Sequence, residues 1–126
     1  MKKLHHIGYV VEDIDDFKKS LPSMSTISVV NDPIQHARIE LLASEQGSYI
    51  ELIEPASPDA FTWNFLKKKG QGPHHICYEG YSQDELNSLF LEKKMIKLRG
   101  PIPAVLFDRQ VIFAMSRTKC IIEFIL

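Results

Sequence analysis

The sequence repeats itself at a long interval, and this duplication limits the folds that the chain can adopt. Residues 4–9 read Leu-His-His-Ile-Gly-Tyr, and residues 73–78 read Pro-His-His-Ile-Cys-Tyr. In the same way, Tyr-Ile-Glu-Leu-Ile at 49–53 is echoed by Ile-Ile-Glu-Phe-Ile at 121–125. The interval exceeds the period of the common solenoid repeats, and two copies are too few for an array. The sequence therefore predicts two tandem copies of one module.

Composition places the chain in a broad class and excludes several others. Its 126 residues predict a single domain. With 15 basic and 16 acidic residues the net charge is -1, which argues against a partner made of nucleic acid or an anionic membrane. No apolar run is long enough to span a bilayer. The two cysteines, Cys77 and Cys120, lack the spacing of a disulfide or CxxC motif, so we expect a reducing, cytoplasmic location.

Each copy has the order of elements βαβββ. The apolar patterns predict strands at 4–11, 26–30, 37–43 and 48–54 in the first module and at 73–79, 95–99, 110–115 and 119–126 in the second. Helices are predicted after Asp13, Ser57 and Ser82, each of which has a side chain that can cap a helix. The boundaries are about 1–56 for module one, 57–70 for the linking helix and 71–126 for module two. The predicted fold class is therefore α+β, with two tandem βαβββ modules forming a cupped, eight-stranded mixed sheet with helices outside.

Alternation along the strands predicts which histidine of each pair faces inward. His6 shares a face with Gly8, and His75 shares a face with Cys77, because residues two apart lie on the same side of a strand. The other histidine of each pair accompanies bulky apolar residues that suit the packing of a helix. Since small neighbours leave space, we assign His6 and His75 to the inside of the cup.

Two glutamates are predicted to face the same way. Glu51 and Glu123 each lie between apolar neighbours, which occupy the opposite face of the strand. A carboxylate buried alone costs several kcal/mol in practice, and a divalent cation bound by two carboxylates and two neutral imidazoles removes that cost. The alternative is that each histidine and glutamate is an ordinary half-exposed strand residue. That alternative explains either copy alone but explains both copies together poorly. We therefore predict one divalent ion (Zn, Mn, Co, Ni or Mg) held by His6, Glu51, His75 and Glu123, with about two coordination positions open.

Arg109 has two interpretations. It ends a proline-containing segment at residues 100–109, where a guanidinium could bind a substrate carboxylate. An ordinary surface position explains it equally well.

The sequence resembles the vicinal oxygen chelate superfamily, which includes glyoxalase I, methylmalonyl-CoA epimerases, extradiol dioxygenases and bleomycin-resistance proteins. The resemblance is most specific in Glu-Leu-Ile-Glu-Pro at 51–55, Ser-Pro-Asp at 57–59 and Gly-Pro-His-His-Ile-Cys-Tyr-Glu at 72–79, which are similar to the epimerase branch. It implies that the metal positions of the family fall on the four residues already chosen. It also implies an acid/base role for Glu40. Glu51 and Glu123 are the other two candidate bases. Departures from the family pattern lie in the segment 100–109 and in Ser-Arg-Thr-Lys at 116–119.

The resemblance implies a metal-dependent epimerase or isomerase that removes an α-proton from a chelated acyl thioester. Since two such modules can pair within one chain or between chains, we also predict a homodimer. Two alternatives remain open at this point. A glyoxalase I-type lyase would use the same metal ligands on a hemithioacetal, and a resistance protein would bind a drug in the cup without metal. The complete ligand set argues against the last of these.

Overall fold

The computed structural model describes all residues from Met1 to Leu126, which form eight strands and three helices. The elements are β1 (Lys3–Val10), α1 (Ile14–Lys18), β2 (Ser25–Asp32), β3 (Ala37–Ala43), β4 (Tyr49–Pro55), α2 (Trp63–Lys69), β5 (Gly72–Glu79), α3 (Gln83–Lys93), β6 (Ile96–Ala104), β7 (Arg109–Met115) and β8 (Ile121–Ile125). None of the three helices has the length and apolar character needed to cross a membrane.

The chain divides into two compact units. The N-terminal unit comprises His6–His74, and the C-terminal unit comprises Met1–His5 together with His75–Leu126. The first residues of β1 thus group with the C-terminal unit, and the segment 57–70 and the first residues of β5 group with the N-terminal unit.

The N-terminal unit pairs β2, β3 and β4 in antiparallel fashion and adds β1 parallel to β4. Helix α1 begins where the Asp13 side chain accepts a hydrogen bond from the Asp16 amide, which satisfies one of the free N–H groups of the first turn. The helix buries Ile14 against Leu42 and Leu52 of the sheet. Removal of these apolar side chains from water holds the helix on this face.

The C-terminal unit has the same plan. Strands β6, β7 and β8 are antiparallel, and β5 runs parallel to β8. A capping box between Ser82 and Glu85 starts α3 at the predicted position. The helix buries Leu86 against Ile112 and Phe124 on one face of the strands. The α+β class and the two βαβββ modules with eight strands in mixed pairing are therefore confirmed.

Two local predictions were wrong. Helix α2 begins at Trp63 rather than near Ser57, because Ser57 closes a turn: its hydroxyl accepts from the Asp59 amide at 3.3 Å and its carbonyl from the Ala60 amide at 2.9 Å. Strand β6 continues to Ala104 through a segment predicted as a loop. The prolines of this segment are tolerated because β6 pairs with β7 alone, so one side of its backbone needs no ladder partner.

The capping box makes one part of the acid stability predictable. Hydrogen bonds from the Lys2 ammonium and from the Ser82 amide and hydroxyl lower the pKa of Glu85 from its ordinary value of 4.5 to about 2. A carboxyl whose pKa is lowered by folding stabilises the fold above its unfolded pKa, and this stabilisation disappears as the pH falls toward the folded pKa. Between pH 4.5 and about 2, wild-type protein should therefore lose more thermal stability than the Glu85→Gln variant. Parallel melting curves across that range would contradict the assignment.

Candidate metal centre

A buried histidine–glutamate pair lies in the N-terminal unit. In the parallel pairing of β1 with β4, Gly8 is the register partner of Glu51, and His6 lies two residues before Gly8 on the same face. The His6 Nε2 atom is 3.6 Å from Glu51 Oε1, and the exposed fractions of the two side chains are 0% and 6%. Because Gly8 has no side chain, the imidazole and the carboxylate can approach each other beside it.

The C-terminal unit contains the corresponding pair. Cys77 of β5 is the register partner of Glu123 of β8, and His75 lies two residues before Cys77. The His75 Nε2 atom is 3.1 Å from Glu123 Oε1, and both side chains are 2% exposed. The edge of the His75 ring contacts Phe113, with the ring centroids 5.7 Å apart. Phe113, which the sequence analysis did not single out, is therefore a neighbour that fixes the orientation of this imidazole.

Each pair offers ligand atoms of the types that divalent metals take. Imidazole nitrogen and carboxylate oxygen suit zinc and the other first-row divalent ions, and oxygen ligands also suit magnesium. His6, Glu51, His75 and Glu123 all qualify as metal ligands by chemistry and are all buried. The donor set therefore fits a divalent ion.

Glu40 lies on a different face from Glu51. Its neighbour Leu41 is the register partner of Glu51, so Glu40 points to the opposite side of the sheet. The Glu40 carboxylate accepts hydrogen bonds from Lys18 Nζ at 2.5 Å and from Thr26 Oγ1 at 3.0 Å. The structure does not bring Glu40 to Glu51, and the acid/base role that the resemblance implied for Glu40 has no geometric support.

The environment of Glu40 predicts a structural role that can be measured. Lys18→Met should lower the free energy of unfolding by about 1–3 kcal/mol, because the buried Glu40 carboxylate loses its nearest donor. Urea denaturation gives this value directly. The matched control is Lys19→Met at the adjacent exposed lysine, which we expect to change stability by less than about 0.5 kcal/mol. Equal effects of the two substitutions would show that the Lys18–Glu40 bond contributes nothing specific.

Arg109 is bound within its own unit. Its Nε donates to the carbonyl oxygen of Leu126 at 2.7 Å, and its NH1 atom lies 3.9 Å from Glu79 Oε2. Lys3 Nζ lies 3.2 Å from the same carboxylate. Phe113 of β7 is the register partner of Glu123, and Arg109 precedes Phe113 by four residues. Measured along the strand, Arg109 is therefore about 13 Å from the position opposite Glu123. The pairing of Glu79 with these cations was not apparent from the sequence, because the residues are far apart in the chain.

A family model matches most of the chain. It describes the Glyoxalase/Bleomycin resistance protein/Dioxygenase superfamily, and it matches residues 5–113. The chain belongs to this superfamily. The resemblance to vicinal oxygen chelate proteins, drawn from the two histidine hexamers and the segment 51–59, is thereby confirmed.

Several solved structures have a similar fold. A hypothetical protein of Bacillus halodurans C-125 is 30% identical, with 98% of this chain and 93% of that chain covered and a TM-score of 0.84. Methylmalonyl-CoA epimerase of Streptomyces coelicolor, in complex with 2-nitronate-propionyl-CoA, is 22% identical, with 98% and 95% covered and a TM-score of 0.81. The epimerase of Mycobacterium tuberculosis is 19% identical, with 97% and 85% covered and a TM-score of 0.83. At these identities the two epimerases show a common fold.

One curated relative matches part of the sequence. The uncharacterized protein YqjC of Bacillus subtilis (strain 168) is 32% identical over 80 residues. The match spans 62% of this chain and 57% of YqjC.

Proposed function

We propose that the two histidine–glutamate pairs together bind one divalent metal ion. The two carboxylates of Glu51 and Glu123 balance a charge of +2, and His6 and His75 bind as neutral donors. Burial of all four side chains supports this proposal, because an ionised carboxylate out of water needs a cationic partner. Their equivalent positions in two copies of one module also favour a site with two-fold repetition.

Four protein ligands would leave about two positions open on a six-coordinate ion. When bound there, the ion would act as a Lewis acid toward two oxygen atoms of a substrate. The ligand types do not select among zinc, manganese, cobalt, nickel and magnesium. A substrate with two neighbouring oxygens, such as an acyl thioester with a carboxylate at its α-carbon, fits two adjacent open positions.

We infer that the protein is a metal-dependent epimerase or isomerase that moves an α-proton of such an acyl thioester. The observation that carries the inference is the pair of buried His–Glu sets at equivalent register positions. Membership of the superfamily supports it, as does the fold shared with methylmalonyl-CoA epimerases, one of which forms a complex with methylmalonyl-CoA. These relatives suggest methylmalonyl-CoA as the first substrate to assay.

The proton-accepting group in this proposal is Glu51 or Glu123. On the face that carries them, their register partners are Gly8 and Leu41 for Glu51, and Cys77 and Phe113 for Glu123. None of these partners is acidic, so Glu51 and Glu123 are the carboxylates that these strand faces place at the proposed site. A carboxylate of this kind can take a proton from one face of the α-carbon, and return of a proton to the other face inverts the centre.

Solvent exchange tests the proposed reaction. Protein reconstituted with each candidate metal is incubated in deuterium oxide with methylmalonyl-CoA, and deuterium at the α-carbon is followed by mass spectrometry. The expected result is incorporation that requires both the protein and the metal. If exchange occurs only with a glutathione hemithioacetal, the glyoxalase alternative replaces this proposal. If neither substrate exchanges with any metal, the enzymatic proposal fails and a binding function takes its place.

We also propose that the chain acts as a homodimer in a reducing, cytoplasmic compartment. Cys77 and Cys120 form no disulfide, which is consistent with such a compartment. Equilibrium ultracentrifugation tests the dimer, which predicts a mass of twice 14.4 kDa.

A further inference from the structure

A cavity lies on the face of the C-terminal unit opposite to Glu123. It has a volume of about 350 Å³, and its floor is formed by Tyr78 of β5 and by Ile122 and Phe124 of β8. Along β8, Ile122 and Phe124 alternate with Glu123, so the cavity and the Glu123 carboxylate are on opposite faces of the strands. The cavity is therefore separate from the proposed metal centre.

The cavity stays open because the neighbouring segments are too short to cover the sheet. Helix α3 ends at Lys93, and the chain turns away at Lys94, which has a φ of 54°. On the other side a tight turn joins β7 to β8, closed by a hydrogen bond from the Ser116 amide to the Cys120 carbonyl at 2.9 Å. Between these segments, Leu89, Tyr78 and other apolar side chains remain only partly buried.

Charge at the mouth of the cavity has one sign. Lys93 at the end of α3 and Arg117 in the β7–β8 turn both line the cavity, and both are exposed. No aspartate or glutamate lines it. Lys93 contacts only the adjacent Glu92, at 4.0 Å on an open surface, where such a pair contributes little. An apolar floor under two cations is complementary to an anion with an apolar body.

We propose that this cavity is a binding site for a small carboxylic acid with an apolar body, such as a medium-chain fatty acid. The alkyl body packs on the partly exposed side chains of Tyr78 and Ile122, where its contact with water is removed. The carboxylate lies at the mouth, where Arg117 can donate two parallel hydrogen bonds and Lys93 adds a second positive charge. The volume is within the usual range of about 300–1,000 Å³ for small-molecule sites.

Octanoate is a suitable probe, and octanamide is its uncharged counterpart of nearly the same shape. Each is titrated into the full chain, and backbone amide shifts are followed by NMR. We expect saturable shifts confined to the C-terminal part of α3, residues 116–119 and β8. Octanamide should produce the same pattern with an affinity about 3- to 10-fold lower, because the charged hydrogen bonds are lost.

Two pairs of variants locate the site. Leu89→Trp fills the cavity and should lower octanoate affinity by about tenfold or more, whereas Leu91→Trp, at a position that is 83% exposed on the same helix, should leave it unchanged. Arg117→Ala should lower octanoate affinity about 3- to 10-fold without changing octanamide affinity. Lys19→Ala, which removes an exposed lysine of the N-terminal unit, is the matched charge control. Arg117 is exposed, so its variant keeps the test valid if Leu89→Trp fails to fold.

Several results would overturn the proposal. Amide shifts that do not saturate, or that occur around His6 and Glu51 instead, would show that the acid does not bind in this cavity. Equal affinity for octanoate and octanamide would show that the two cations at the mouth do not contribute to binding. If ultracentrifugation shows a dimer that Leu89→Trp dissociates while octanoate does not bind, a second copy of the chain covers the cavity. The proposal does not depend on the metal centre and is tested equally well in a His6→Ala variant.

Discussion

Replacing either Glu51 or Glu123 by glutamine should lower the rate of deuterium incorporation into the substrate by about 100-fold or more. Glutamine keeps the size of the side chain and one oxygen that can contact a metal. It cannot accept a proton, and it removes one of the two negative charges that balance the ion. Both substitutions therefore weaken metal binding at a charged ligand, and one of them also removes the base. Metal content, measured on the same samples, tells the two effects apart.

Glu40→Gln is the matched control for this experiment. Glu40 is as deeply buried as Glu123, but it faces the opposite side of the sheet from Glu51 and is bound by Lys18. Its substitution should change stability and leave the exchange rate per folded molecule within about twofold of the wild type. A loss of exchange in Glu40→Gln that matches the loss in the other two variants would contradict our placement of the reaction on the Glu51 face.

Phe124→Ala should lower the free energy of unfolding by about 3–5 kcal/mol. Phe124 is 2% exposed and is the centre of an aromatic group, with ring centroids 5.5 Å from Tyr81, 5.7 Å from Phe90 and 6.2 Å from Tyr78. Truncation removes these contacts and enlarges a region that already contains a cavity. Such a loss is a large part of the stability of a domain of this size.

Denaturant titration measures the effect of Phe124→Ala, and Leu91→Ala on the exposed face of α3 is the control. We expect the control to change stability by less than about 0.5 kcal/mol. A loss below about 1 kcal/mol for Phe124→Ala would mean that the aromatic group is not the core that holds α3 on the strands.

The residues of the candidate site could be predicted where a short local pattern fixes the face of a strand. His6 and Glu51 lie next to small or apolar neighbours, and alternation along a strand allows only two assignments of its residues to the two faces. The second module repeats the pattern and favours the same assignment. Glu40 shows where this reasoning stops. Its acid/base role was inferred from the family resemblance alone, and a shift of one residue in such a comparison moves a side chain to the other face of the sheet.

Other features depend on contacts that no local pattern contains. The interaction of Arg109 with Glu79 joins residues that are distant in the chain. Helix α2 begins late because the backbone of Ser57 closes a turn with Ala60, although a serine followed by proline is a common start of a helix. The cavity beside Phe124 lies between the end of α3 and the β7–β8 turn, and tertiary packing determines the positions of both.

The metal stoichiometry of the purified chain tests the central claim that the two pairs share one ion. After reconstitution and removal of loosely bound metal, elemental analysis of wild-type protein should give about one divalent ion per chain. His6→Ala and His75→Ala lie in different units, and each should reduce the metal content to less than about a tenth. Loss of a direct ligand from a shared ion weakens the whole site at least as much as loss of a group that only orients a ligand, which costs about tenfold or more. Two ions per chain in the wild type, or full retention of metal in one of the two variants, would contradict the account.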